Sequence, residues 1–240
     1  MGDALQSYRD IWDSKPVIRE VYNDIFDRIV ARCEAGRTLE IGGGIGNLKE
    51  RVGNVVTTDI QFGAWMDVVA DAQQLPFADE AFDNIVMLDV LHHIEFPSVF
   101  FREATRVLRP GGRIIMVEPG ITLGSTLFFR LLHQEPVDMS VDPLQEGLPT
   151  SGKDPYDSNQ AIPTLIATRF RKRFEMKFTK LEIVEAHWFA FLAYPLSGGF
   201  KPWSLINLSM ARWLLRAEQY IERLAGRWFG FRLLMVIEKS

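Results

Sequence analysis

The chain has 240 residues, of which 47% are hydrophobic and 24% charged. That length suits one elaborated α/β domain, and the composition excludes a disordered or collagenous chain. With a single cysteine, Cys33, an intrachain disulfide is impossible, and the formal charge of −4 is unevenly spread. Residues 169–240 carry 13 Lys and Arg against 6 Asp and Glu, a net of +7, and hold 14 of the 28 aromatic residues. A basic, aromatic C-terminal third on an acidic remainder points to an anionic or interfacial partner.

In chain order, the start MGDALQSYRD is polar and charged, unlike a secretory leader, so a cytoplasmic protein is expected. Val17, Val21, Ile25 and Ile29 recur at helical spacing, which predicts an amphipathic helix from Pro16 to about Cys33. Short apolar runs predict strands at 38–41, 55–60, 68–69 and 82–88. A helix opened by Pro97, with Phe100, Ala104, Val107 and Leu108 on one face, should stop at Arg109-Pro110-Gly111-Gly112 before a strand at 114–117. Strands alternating with helices mean a parallel sheet covered on both faces.

After Glu118 the rhythm breaks. A helix from Leu123 to His133 and a Pro-, Asp- and Ser-rich stretch to Pro163 form an insertion with the character of a lid. Further strands are expected at 181–185 and 233–237, with a helix from about Ser204 to Ala225 between them, making seven strands. The expected organisation is one domain: a ligand-binding half over 36–119, an insertion over 120–168 and a C-terminal half over 169–240. In the late helix, Ile206, Met210, Trp213, Leu214, Ala217, Ile221 and Leu224 form a stripe opposite Arg212, Arg216, Gln219 and Arg223. Such a stripe ordinarily packs on a core, so core or lid is the expectation, with an interfacial membrane helix as the alternative and the basic RFRKR at 169–173 nearby.

The strongest local signal is LEIGGGIGNL at 39–48. Gly42, Gly44 and Gly46 lack Cβ atoms, so the backbone can turn sharply and approach a ligand, and a following helix would offer free amides to an anion. Asp59, 19 residues after Glu40, falls where α/β nucleotide sites keep a carboxylate for ribose hydroxyls. Asp71 lies in a loop expected on the same sheet edge, where ligands bind. A dinucleotide fingerprint would need Gly or Ala where Asn47 stands, which weighs against a nicotinamide-dependent oxidoreductase. The four histidines, His92, His93, His133 and His187, match no zinc spacing, so no metal is expected.

LEIGGGIGNL, TTDI, DAQQLPFADEAFDNIVMLDVLHH and FREATRVLRPGGRIIMVEP, taken together and in this order, resemble the class I S-adenosylmethionine-dependent methyltransferases, in the small-molecule branch called the type 11 methyltransferase domain. The resemblance runs from about Thr38 to Glu118. It implies a Rossmann-like three-layer sandwich with a seven-stranded, mostly parallel sheet and an antiparallel last strand. It also implies S-adenosyl-L-methionine as cofactor. Glu40 with Gly42, Gly43, Gly44 and Gly46 would hold the methionine end, and Asp59 with Ile60 the ribose. Asp71 and Ala72 would receive the adenine, while Leu88 and Asp89 would border the methyl group. Gly43 stands where many members carry Cys, Ala or Pro.

A sulfonium methyl is already activated, so transfer mainly needs an acceptor held in line with water excluded. For a hydroxyl acceptor, His93 or His92 could remove the proton. The expected acceptor is small or lipid-linked and is methylated at oxygen, with peripheral membrane contact as an open point. The acidic balance argues against nucleic acid. A protein of this fold that binds the cofactor without catalysis is the alternative, and oligomeric state is not legible.

Overall fold

The computed structural model describes residues 2–132, 136–150, 154 and 156–240. His133 and the junctions at 133–135, 151–153 and 155 lie outside the described residues. The elements are α1 (Gly2–Ser14), α2 (Pro16–Val30), β1 (Thr38–Ile41), β2 (Val55–Asp59), β3 (Val68–Val69), β4 (Phe82–Leu88) and α3 (Pro97–Val107). There follow β5 (Leu108–Pro119), α4 (Leu123–Leu132), α5 (Ala161–Ala167), α6 (Arg171–Lys177), β6 (Leu181–Phe189), α7 (Ala193–Ser197), α8 (Leu208–Phe229) and β7 (Arg232–Lys239).

The seven strands form one sheet in the order β3-β2-β1-β4-β5-β7-β6. β1 to β5 pair in parallel, and β7 runs antiparallel to both β5 and β6. Successive side chains of a strand point to opposite faces, and β5 and β7 use both. Ile114, Met116, Leu233, Met235 and Ile237 join a core with α3, α5 and α6. Ile115, Val117, Leu234 and Val236 join a second core under α2 and α7, with Leu214 and Leu215 of α8 packed against it. The result is the expected three-layer α/β sandwich, buried on both faces as a parallel sheet requires.

Several sequence expectations are corrected. The polar start is helical as α1, whose buried Leu5 gives it an inner side. Leu108 opens β5 instead of closing α3, and Arg109 to Gly112 form an irregularity inside that strand: Phe82 pairs with Leu108, but Asn84 pairs with Arg113. Gly111 sits at φ 77°, and Arg109 is held by Asp83. The glycine turn leads into a four-residue 3₁₀ turn at Asn47–Glu50, not an α-helix, so the anticipated helix terminus is absent there. Arg171–Arg173 of RFRKR begin α6, whose buried Phe174 belongs to the core opposite the one that α8 covers, so its charge is not near α8. The anticipated core stripe is split: Ile206 and Leu214 pack inward, but Met210, Trp213, Ile221 and Leu224 are exposed, and α8 is anchored through Ala211, Glu218 and Gly226.

Candidate active site

Between β1 and β4 the crossovers change direction, and the carboxyl ends of β1, β2, β4 and β5 meet there. In open α/β sheets this is where ligands bind. A cavity of about 720 Å³ opens at this edge, large enough for a cofactor and an acceptor together. Glu40, Gly42, Gly43, Gly44, Asp59 and Ile60 line it from β1, β2 and the turns that follow. Asp71, Ala72, Leu88, Asp89, His92 and His93 also line it. Gly46 does not; it sits behind the loop against Trp65.

The loop geometry explains the glycines. Gly42, Gly44 and Gly46 have φ of 66°, 50° and 79°, the left-handed region that side chains disfavour. At Gly43 the constraint is space, since a Cβ there would run into the methyl of Thr57. Asp59 holds the loop from β2: one carboxylate oxygen accepts from the Gly44 amide at 3.0 Å, the other from Gln61 at 2.8 Å. Asp71 closes its own turn by accepting from the Gln73 amide at 2.8 Å while lining the cavity, so it is a cap as well as a candidate ligand. From outside, Trp65 donates its indole N–H to the Gly44 carbonyl at 2.8 Å, and Arg9 of α1 lies 4.2 Å over the Trp65 ring.

Glu40 is 7% exposed, accepts from Thr57 Oγ1 at 2.9 Å and makes no ion pair among the described residues. Burial pushes its carboxyl up to about 7. A buried acid facing a cavity with no cationic partner fits a ligand that brings its own positive charge. An ammonium would meet that condition, and each Asp59 oxygen, which accepts from one amide, keeps a lone pair for a further donor.

The far side of the cavity carries groups that the sequence reading missed. Glu118, at the end of β5, is fully buried. It accepts from the amides of Val90 and Leu91 at 3.0 and 2.7 Å and meets His92 Nδ1 at 2.6 Å. This carboxylate shapes the turn after β4 and fixes His92, on which the His93 ring rests at 4.1 Å. With Nδ1 committed to Glu118, any base chemistry of His92 belongs to Nε2. Arg232, at the start of β7, grips both Asp89 oxygens and lies 4.2 Å over the Tyr194 ring. Burial holds the nearby Tyr22 hydroxyl well above its usual range, so it stays a neutral phenol.

A charge inside an apolar run such as IIMVE or RLLMVI must find a partner when buried, which is the signal that would have exposed Glu118 and Arg232. Trp65 had no such signal. Oxygen and nitrogen atoms of Asp89, His92 and Glu118 lie within 4.8 Å of one another. They hold Arg232, each other and backbone amides, which leaves a metal ion little to coordinate. Burial pushes the Cys33 thiol to about 11, an unreactive value.

Residues 39–116 match the profile of a family described as a methyltransferase domain. The ubiquinone/menaquinone biosynthesis C-methyltransferase UbiE of Idiomarina loihiensis is 29% identical over 153 residues, covering 49% of this chain and 61% of that protein. The 27-O-demethylrifamycin SV methyltransferase of Amycolatopsis mediterranei is 47% identical over 47 residues, covering 20% and 17%. The chain thus spans less than two thirds of either relative. Among solved structures, a SAM-dependent methyltransferase from Thermotoga maritima has the same fold at 17% identity, with a TM-score of 0.55 over 93% of this chain and 92% of that one.

Proposed function

We propose that this chain, whose residues 39–116 match a methyltransferase-domain profile, is a class I S-adenosylmethionine-dependent methyltransferase that transfers the cofactor's methyl group to a small or lipid-linked acceptor. One observation carries the reading. A single cavity joins Glu40, the glycine turn and Asp59 at one end to His92, His93, Tyr194, Phe128 and Phe231 at the other. When bound, the cofactor supplies an electrophilic sulfonium methyl. The chain supplies grip at the first end and an aromatic wall for a flat or apolar acceptor at the second, in a site that α1 and the insertion help to close. Leu5 and Tyr8 come from α1, and Thr150, Tyr156 and Gln160 from the insertion.

Oxygen is the acceptor atom we favour, because the Glu118–His92 pair is arranged as an orienting carboxylate and a base. The carboxylate fixes Nδ1, and Nε2 takes the hydroxyl proton as the methyl is transferred. The names of the relatives include methylation at both carbon and oxygen, and a carbon acceptor next to a phenol would use the same base.

Transfer of a labelled methyl group into fractionated cell extract, with lipid and aqueous fractions kept apart, tests the proposal. Label should enter a small organic product with the wild type and not with Asp59→Ala. Saturable cofactor binding without transfer into any fraction would favour a cofactor-binding protein instead.

A further inference from the structure

α8 carries two apolar sides. One packs on the protein through Ala211, Leu214 and Leu215. The other faces outward: Met210, Trp213, Ala217, Ile221, Leu224 and Trp228 recur at spacings of three and four, and Trp213 is 65% and Leu224 85% exposed. A contiguous exposed apolar patch on a soluble domain marks an interaction surface.

The charge that α8 itself carries beside this stripe has one sign, while Glu20 and Asp24 of α2 border it. Arg212, Arg216, Arg223 and Arg227 run along the flank of the stripe and are all exposed. The two acidic residues of α8 turn inward: Glu218 accepts from the amides of Phe191, Leu192 and Ala193, and Glu222 pairs with Arg28. Arg216 and Arg223 make no ion pair among the described residues, while Arg212 meets Glu20 at 3.0 Å. Near the end of α8, Gly124 of α4 packs against Phe229. In α4, Leu123 and Leu127 are exposed, and the next residue, Phe128, lines the cavity. The apolar face therefore continues to the rim of the cavity.

We propose that this face of α8 and α4 docks on an anionic lipid bilayer. The tryptophans and leucines enter the interfacial region, and the arginine row meets acidic headgroups. A row of like charge beside an aromatic and aliphatic stripe complements such a surface on both counts. The inference stands on the surface alone and does not depend on methyl transfer. If the site does act on a lipid-linked acceptor, the same docking would bring the cavity rim to the membrane.

Sedimentation with vesicles of phosphatidylcholine, and with the same vesicles containing phosphatidylglycerol, tests it. The wild type should bind the anionic vesicles and be released by high salt. Arg216→Gln with Arg223→Gln should weaken binding by about fivefold for each arginine removed. Trp213→Glu with Leu224→Glu should abolish binding. All four side chains are exposed, so circular dichroism and thermal midpoint should match the wild type and exclude misfolding. Absence of binding to anionic vesicles, or binding that both double variants retain, would overturn the proposal. So would a wild-type dimer that Trp213→Glu with Leu224→Glu converts to a monomer, which would assign the face to a second copy of the chain.

Discussion

Glu118 Oε2 lies 2.6 Å from Nδ1 of His92, and the other oxygen of the same carboxylate accepts from two backbone amides of the turn that carries the histidine. One buried acid thus sets both the path of the chain after β4 and the ring orientation of the candidate base. Glu118→Gln replaces a charge-assisted acceptor with a neutral amide, whose N–H fits beside His92 only when Nδ1 gives up its proton to Nε2. The expected outcome is a loss of roughly 1–3 kcal/mol in stability. His92→Gln keeps the bulk, and for a hydroxyl acceptor its kcat should fall by about 10²-fold. Its cofactor affinity should stay within a few-fold of wild type. Denaturant unfolding and single-turnover methyl transfer separate the two effects. An unchanged kcat in His92→Gln would remove the base from the mechanism.

In the proposed binding mode, Glu40 makes cofactor affinity sensitive to pH. Its folded carboxyl titrates at about 7, above the ordinary value of 4.5, because burial disfavours the charged form. A raised carboxyl binds its proton more tightly when folded, so its advantage to the fold is complete below 4.5 and disappears as pH rises through about 7. The cofactor-free protein should lose about 3 kcal/mol over this window relative to Glu40→Gln, whose profile lacks that component. Affinity for a ligand with an ammonium should move the other way and strengthen from pH 5 to pH 8. Thermal melts of both proteins across this range, with titrations of S-adenosylhomocysteine, check both slopes.

The sheet was legible because burial on both faces forces dense apolar runs in its central strands, as at 82–88, 114–117 and 233–237. The glycine turn and Asp59 were legible because a tight bend and a spaced carboxylate are local in sequence. What escaped depends on partners far along the chain. Nothing near Trp65 shows that it will donate to Gly44, 21 residues earlier, or that Arg9 will cover it. α8 misled for another reason: its periodicity was real, but a helix with apolar residues on two sides has a stripe that period alone cannot assign to core or solvent. The 3₁₀ turn after Gly46 escaped because a glycine-rich strand end followed by Asn-Leu-Lys-Glu fits an α-helix start equally well.

The back of the glycine turn is also open to test. A Cβ on Gly46 would lie 2.8 Å from Cδ1 of Trp65, and its φ of 79° already disfavours any side chain. Gly46→Ala should cost about 1–3 kcal/mol and weaken cofactor binding by disturbing a loop that it does not itself present to the ligand. Trp65→Phe keeps the ring but loses the bond to the Gly44 carbonyl. It should bind cofactor several-fold more weakly while unfolding within about 1.5 kcal/mol of wild type. Calorimetric titration with S-adenosylhomocysteine alongside urea melts discriminates the loop effect from general destabilisation.

Asp89 and Arg232 join the end of β4 to the start of β7 across β5, a contact between residues 143 apart in sequence. The guanidinium is almost fully buried while the carboxylate remains partly open to the cavity. Removing the acid therefore leaves a buried cation without its partner, whereas removing both charges leaves an apolar contact. Asp89→Leu should destabilise the protein by about 3 kcal/mol, the lower end of the range for breaking a buried pair because Asp89 is not fully enclosed. Adding Arg232→Met should restore much of that loss, a coupling that a double-mutant cycle in urea reads directly. If the two single variants instead summed to the double, the pair would be two independent side chains, and the ends of β4 and β7 would be held together by β5 and the packed cores.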